Sequence, residues 1–159
     1  MNDNIIKILS NIQDPEVPVL SVIDLGIVRD AVETDEGIEV VITPTYTGCP
    51  AMDVIATQIR MELLAHGYRS VTVKTVLSPA WTTDWMTEEG KQKLKAYGIA
   101  PPLHSQQVCA TERFSDEVIQ CPLCNSFHTH QVSNFGSTAC KALYQCDDCK
   151  EPFDYFKCH

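Results

Sequence analysis

Cys121-Pro-Leu-Cys124 and Cys146-Asp-Asp-Cys149 are the residues of this 159-residue chain whose types and spacing most directly define a chemistry. Each Cys-x-x-Cys puts two thiols on one tight turn. The chain between Cys124 and Cys146 is long enough for a short β-hairpin to fold back and bring the two turns together. A matched pair of such turns predicts one tetrahedral metal site with Cys121, Cys124, Cys146 and Cys149 as its ligands. Two redox dithiols are the competing reading, but a single Cys-x-x-Cys would serve that chemistry equally well. Zinc is the expected occupant, although four soft thiolates suit iron too and spacing does not separate the two. A closed four-sulfur site leaves no position open for substrate, so its expected role is structural. Cys140, Cys158, His128, His130 and His159 exceed the four ligands needed, and Cys140 is the natural substitute.

One further sulfur stands apart. Thr43-Pro-Thr-Tyr-Thr-Gly48 leads into Cys49 and Pro50, followed by Met52, Ile55, Ala56, Ile59 and Leu63 at helical period. Proline suits a first helical position and Gly67 the residue after a last turn, which predicts a helix over 50–66 with Cys49 as its N-cap. There, unpaired amides and the positive end of the helix dipole are expected to lower the thiol pKa and make the sulfur a better ligand or nucleophile. A small buried hydrophobe is the plainer role of a lone cysteine. Asp24, in Asp24-Leu-Gly26, reads by itself as a turn-forming carboxylate.

The elements that must position these residues follow from pattern. Apolar side chains at Ile5, Ile8, Leu9 and Ile12 predict an opening amphipathic helix, and Asp14-Pro-Glu-Val-Pro18 ends it as a rigid connector. Runs 27–32 and 38–43 read as two strands of a hairpin whose loop spans 33–37, and 70–77 as a third strand. The order helix, strand, strand, helix, strand describes a small α+β domain with its second helix on a three-stranded sheet. Trp81 and Trp85 are core or an aromatic anchor for a partner. Thr87 and Gly98 bracket a short helix. Aromatic residues spaced by polar ones from Phe127 to Phe156 fit a ribbon around the thiolates. The expected domains are therefore 1–102, a linker over 103–117, and a zinc ribbon over 118–159.

Composition narrows the function classes. Eight cysteines without a basic, apolar leader at Met1-Asn-Asp-Asn-Ile-Ile-Lys-Ile-Leu9 point to reducing cytoplasm, and hence to metal ligands over disulfides. No apolar stretch approaches the ~20 residues that span a bilayer, so no membrane partner is expected. The net charge of −9 argues against nucleic acid as a partner. The ribbon segment agrees: from Asp116 onward Asp116, Glu117, Asp147, Asp148, Glu151 and Asp154 outnumber Lys141, Lys150 and Lys157. A phosphate-binding glycine loop, a Ser/His/Asp arrangement, paired Glu-x-x-His helices and a dinucleotide fingerprint are all missing from the sequence, so an independent enzyme is not expected.

Asp14-Pro-Glu-Val-Pro-Val-Leu-Ser-Val-Ile-Asp-Leu-Gly-Ile-Val28 and Thr43-Pro-Thr-Tyr-Thr-Gly-Cys-Pro-Ala51 resemble the small domain shared by bacterial and eukaryotic iron-sulfur cluster assembly factors. Ser78-Pro-Ala-Trp-Thr-Thr-Asp-Trp85, Tyr97-Gly-Ile-Ala-Pro-Pro102, Phe135-Gly-Ser-Thr-Ala-Cys-Lys-Ala-Leu-Tyr144 and Glu151-Pro-Phe-Asp-Tyr-Phe-Lys157 add a resemblance to the PaaD family of accessory proteins, encoded with bacterial phenylacetyl-CoA epoxidases. The resemblance implies a factor of phenylacetate catabolism that helps assemble an iron-sulfur cluster or metal in the reductase or oxygenase component. It implies Cys49 and Asp24 as a functional pair holding an iron ion or cluster transiently. A non-catalytic scaffolding subunit of the epoxidase is the alternative, and homo-oligomerisation is left open.

Overall fold

The structure, a computed structural model, describes residues 1–102 and 118–157. Two compact units divide the chain. The first comprises Met1–Trp81 with Trp85–Gly90, and the second Thr82–Asp84 with the described residues from Lys91 onward.

In the first unit, α1 (Asp3–Leu9) starts at Asn2, whose side chain accepts from the Asn4 amide, and it buries Ile5, Ile8 and Leu9. The Asp14-Pro-Glu-Val-Pro18 segment is more than a rigid connector. Gln13 bridges to Ser21 and the Asp14 amide donates to the Leu20 carbonyl at 2.9 Å, so the segment closes into a loop. Strands β1 (Val28–Thr34) and β2 (Gly37–Ile42) form an antiparallel hairpin, and β3 (Val71–Thr75) pairs parallel with β2. The hairpin loop is tighter than the sequence predicts because Thr34 pairs directly with Gly37, leaving Asp35 and Glu36 as the turn. Helix α2 (Ala51–Ala65) makes the crossover from β2 to β3. Its buried stripe of Ala51, Met52, Ile55, Ala56, Ile59 and Leu63 has the expected period. Each fully buried Ile or Leu in it contributes on the order of 2 kcal/mol.

After β3 the chain returns to the loop ahead of β1. Trp81 is buried, and its indole Nε1 donates to the Leu25 carbonyl at 2.8 Å, so it is a core residue. Trp85 is half-buried, with the Arg29 guanidinium 3.4 Å above its ring centroid. Helix α3 (Glu88–Tyr97) starts as the sequence predicts, with the Thr87 hydroxyl accepting from the Gly90 amide at 3.0 Å, and Gly98 ends it at φ +90°.

The second unit is a four-stranded sheet in the order β4-β7-β6-β5. Its strands are β4 (Ile99–Ala100), β5 (Thr129–Ser133), β6 (Lys141–Cys146) and β7 (Pro152–Phe156). The core is Ala100, Ile119, Ala142, Tyr144, Phe153 and Tyr155 around the buried Cys121 and Cys146. Tyr144 stacks on Phe153 and meets Tyr155 edge-on. The sequence placed residues up to 102 in the N-terminal domain, whereas Ile99 and Ala100 pair with Asp154 and Tyr155 of β7. That edge of β7 offers backbone partners that a two-residue strand can satisfy. The expected linker, 103–117, lies outside the described residues.

Gly26 sits at φ +66°, and a Cβ there would collide with the Trp85 carbonyl. Gly26→Ala is therefore expected to lower stability by about 3 kcal/mol, read in thermal or urea unfolding; an unchanged midpoint would show that the Trp85 segment yields freely.

Candidate functional site

The sulfurs of Cys121, Cys124, Cys146 and Cys149 all lie within 4.8 Å of one another. Cys121 is 3.8 Å from Cys149, and Cys124 is 3.5 Å from Cys146. Sulfurs placed ~2.3 Å from a shared tetrahedral ion stand about 3.8 Å apart, so the donor set fits such an ion. Two turns that repeat each other residue by residue build it. The Cys121 amide donates to the Ser126 carbonyl and the Cys146 amide to that of Glu151. Asn125 and Lys150 both take left-handed conformations, at φ 61° and 65°. The side-chain amides of Gln120 and Gln145 donate to the Asn125 and Lys150 carbonyls. Across the turns the Ser126 hydroxyl donates to Asp148, which also pairs with His128 Nδ1 at 3.2 Å.

Without an ion the thiols do not titrate alike. Amides of Cys149 and then Asp148 point at the Cys146 sulfur and hold it down at about 7. Cys149 is pushed up to about 12: the Glu151 amide favours its thiolate, but lost hydration and the sulfurs of Cys146, Cys124 and Cys121 outweigh it. Cys124 is raised too, against the pull of the Ser126 amide, by lost hydration and by Cys146 and Cys121. Of the surplus candidates, Cys140 is buried away from the quartet with Thr138 Oγ1 3.0 Å from its sulfur. His128 and His130 are exposed and pair with Asp148 and Asp147. Cys158 and His159 lie outside the described residues.

Cys49 is half-buried on the turn before α2. Pro50, not Cys49, is the N-cap of that helix, and the Cys49 carbonyl accepts from the Met52 amide at 3.3 Å. The expected low thiol pKa is corrected here, because the value is raised. Burial raises it most, and the Ala51 amide and the Tyr46 side chain pull it down less than burial pushes. The carboxylates of Glu16 and Asp14 raise it further. Sequence reasoning missed these two residues and Tyr46 as neighbours of Cys49. The Asp-Pro-Glu order, with an aspartate able to hold amides two and three residues on, was the available signal.

Asp24 is 5% exposed. Its Oδ2 accepts from the Ser21 amide at 2.9 Å and the Ser21 hydroxyl at 2.8 Å, and its carbonyl accepts from the Thr87 amide. It is the turn-forming carboxylate that its own sequence context predicts. Among the described residues no helix is long and apolar enough to cross a membrane.

A small α+β domain followed by a ribbon closed on four cysteines defines the class: an assembly-factor-type domain joined to a metal-binding ribbon. Residues 2–75 match the family described as iron-sulfur cluster assembly protein, and residues 105–157 match the PaaD zinc beta ribbon domain. A protein of Escherichia coli (strain K12) named as one of the subunits of 1,2-phenylacetyl-CoA epoxidase is 50% identical over 152 residues, covering 95% of this chain and 89% of that one. The chain belongs to the PaaD family. An Fe-S protein maturation auxiliary factor of Porphyromonas gingivalis (strain ATCC BAA-308 / W83) is 34% identical over 94 residues, covering 58% of this chain and 89% of its own. The crystal structure of a DUF59 domain of unknown function from Bacillus anthracis shares the fold, with a TM-score of 0.55 at 23% identity over 58% of this chain and 89% of that one. The four-cysteine cluster is a metal site of this family's ribbon.

Two outcomes follow for the sulfurs. Metal-free protein given zinc at pH 7 should release at least about two protons per ion, with Cys124 and Cys149 among their sources, as read by an indicator dye. The apparent affinity should fall as pH falls, and a chelator should abolish amide protection at Tyr144 and Tyr155; release of no protons would mean the thiols were already ionised. Cys49, mapped by peptide mass, should react with iodoacetamide more slowly at pH 7 than an unhindered thiol, gaining about tenfold per pH unit until pH exceeds 9. A rate already level by pH 7 would restore the helix-lowered thiol.

Proposed function

We propose that this protein is a non-catalytic accessory factor of a phenylacetyl-CoA epoxidase, acting in the cytoplasm to help load an iron-sulfur cluster or metal into the reductase or oxygenase component. The observation that carries this reading is the contrast between two kinds of sulfur. The ribbon quartet is closed on itself, which suits a permanent zinc held for architecture. It offers no position to a substrate. Cys49 is half-exposed on a turn of the domain that matches the iron-sulfur assembly family, which suits a ligand that takes and releases iron or a cluster. The similarity to a named epoxidase subunit supports the choice of client complex, and the similarity to a maturation factor supports the kind of help given.

What this chain's own residues do is limited and specific. The two Cys-x-x-Cys turns orient four sulfurs and supply amides to them. The loop before α2 presents one thiol, and burial keeps that thiol protonated until cargo arrives.

The test is Cys49→Ala in cells that express the epoxidase. The variant should fold with its ribbon metal intact and leave the reductase deficient in cluster by about tenfold. A fully loaded reductase would contradict the reading. Stable stoichiometric co-purification with the oxygenase, indifferent to Cys49→Ala, would select the scaffolding role instead.

A further inference from the structure

The Cys124 and Cys146 sulfurs come from different turns and stand 3.5 Å apart. Each accepts from the amide two residues further on, Ser126 for Cys124 and Asp148 for Cys146. The residues that supply these two amides are themselves joined through their side chains, with the Ser126 hydroxyl donating to Asp148 Oδ2. The same hydroxyl oxygen accepts from the His128 amide at 3.0 Å, and His128 Nδ1 lies 3.2 Å from both Asp148 oxygens. A carboxylate only accepts, so Nδ1 carries the hydrogen there. The Asp147 amide on the His128 carbonyl, at 2.7 Å, completes the link between the turns. The two Cys-x-x-Cys turns repeat each other, but this contact does not repeat. Setting Cys121 against Cys146 sets Leu123 against Asp148 and Glu151 against Ser126. A leucine side chain has no polar atom, so it cannot make the mirror contact. The turn itself therefore does not require the Asp148 carboxylate.

We propose that Asp148 is a positioning residue of the metal site: its carboxylate, held by Ser126 and His128, latches the second turn to the first and slows release of the ion. The latch fixes the two amides that face Cys124 and Cys146, and it acts through them rather than on the ion. An ion leaves a four-thiolate site by losing sulfurs one after another, so turns that are tied together independently of the ion favour recapture. One exposed ion pair alone does little, but here a hydroxyl and an imidazole converge on one carboxylate. The inference does not involve Cys49 and is tested apart from the reading of that thiol.

The experiment follows zinc passing from the zinc-loaded full-length chain to an excess of a chromophoric chelator at constant pH. Asp148→Ala and Ser126→Ala should each release zinc about tenfold faster than the native chain. The double variant should be slower than the product of the two effects, because both remove one contact. Asp148→Asn keeps an acceptor for the Ser126 hydroxyl and should stay within about threefold of native, which separates the latch from the charge of the carboxylate. Asp147→Ala loses an exposed pair with His130 but keeps its backbone amide, and should change the rate less than about twofold. With one equivalent of cobalt(II) in place of zinc, the sulfur-to-cobalt charge-transfer band should move to longer wavelength in Asp148→Ala and Ser126→Ala, since a thiolate that loses an amide donor gives up an electron more readily. It should stay in place in Asp147→Ala. Native release rates and an unmoved band in Ser126→Ala would overturn the inference, whether or not Asp148→Ala folds. Asp148→Asn or Asp147→Ala releasing zinc about tenfold faster would also overturn it, by assigning the effect to charge.

Discussion

Four sulfur atoms gathered within 4.8 Å cannot all be anions unless a cation stands among them. The ribbon depends on that constraint. Around the two Cys-x-x-Cys turns the quartet is joined by the Ser126–Asp148 contact, by the pairs of His128 with Asp148 and His130 with Asp147, and by the Asp147 amide on the His128 carbonyl. The unequal thiols show the free cluster resisting full ionisation, with one sulfur favoured by two amides and another pushed far above the ordinary range. An ion removes the conflict and turns the same crowding into a source of folding energy.

The two turns are the best example of local sequence dictating geometry. Gln-Cys-x-x-Cys occurs at Gln120 and again at Gln145, and each glutamine amide seats on the carbonyl of the left-handed residue that follows its second cysteine. Neither Asn125 nor Lys150 is glycine, so the strain of the left-handed conformation is offset by these bonds and by the sulfur-directed amides. Short-range chemistry of this kind is complete within six or seven residues. That is why the quartet was legible before any coordinates.

Much of the fold was legible for the same reason: the α2 stripe, the β1–β2 hairpin and the Thr87 cap are all periodicities or local signatures. What was not legible required contact across sequence distance. The pairing of Ile99 and Ala100 with β7 is set by a free strand edge more than fifty residues away, and no pattern in a two-residue strand announces it. The Cys49 pKa runs opposite to the expectation because a helix N-terminus is a local feature, whereas burial depends on the folded surroundings and the charges of Glu16 and Asp14 come from a loop some thirty residues earlier. Asp24 shows the reverse. Its local sequence already describes a turn, and the buried bonds to Ser21 and Thr87 agree with that description.

On the reading proposed above, the quartet is architectural and Cys49 is the working thiol, and that division can be counted. Elemental analysis of native protein and Cys49→Ala, both purified without oxygen, tests it most directly. The account predicts one zinc per chain in both and substoichiometric iron in the native protein alone. Zinc falling with Cys49→Ala, or iron in equal amount in both proteins, would contradict it.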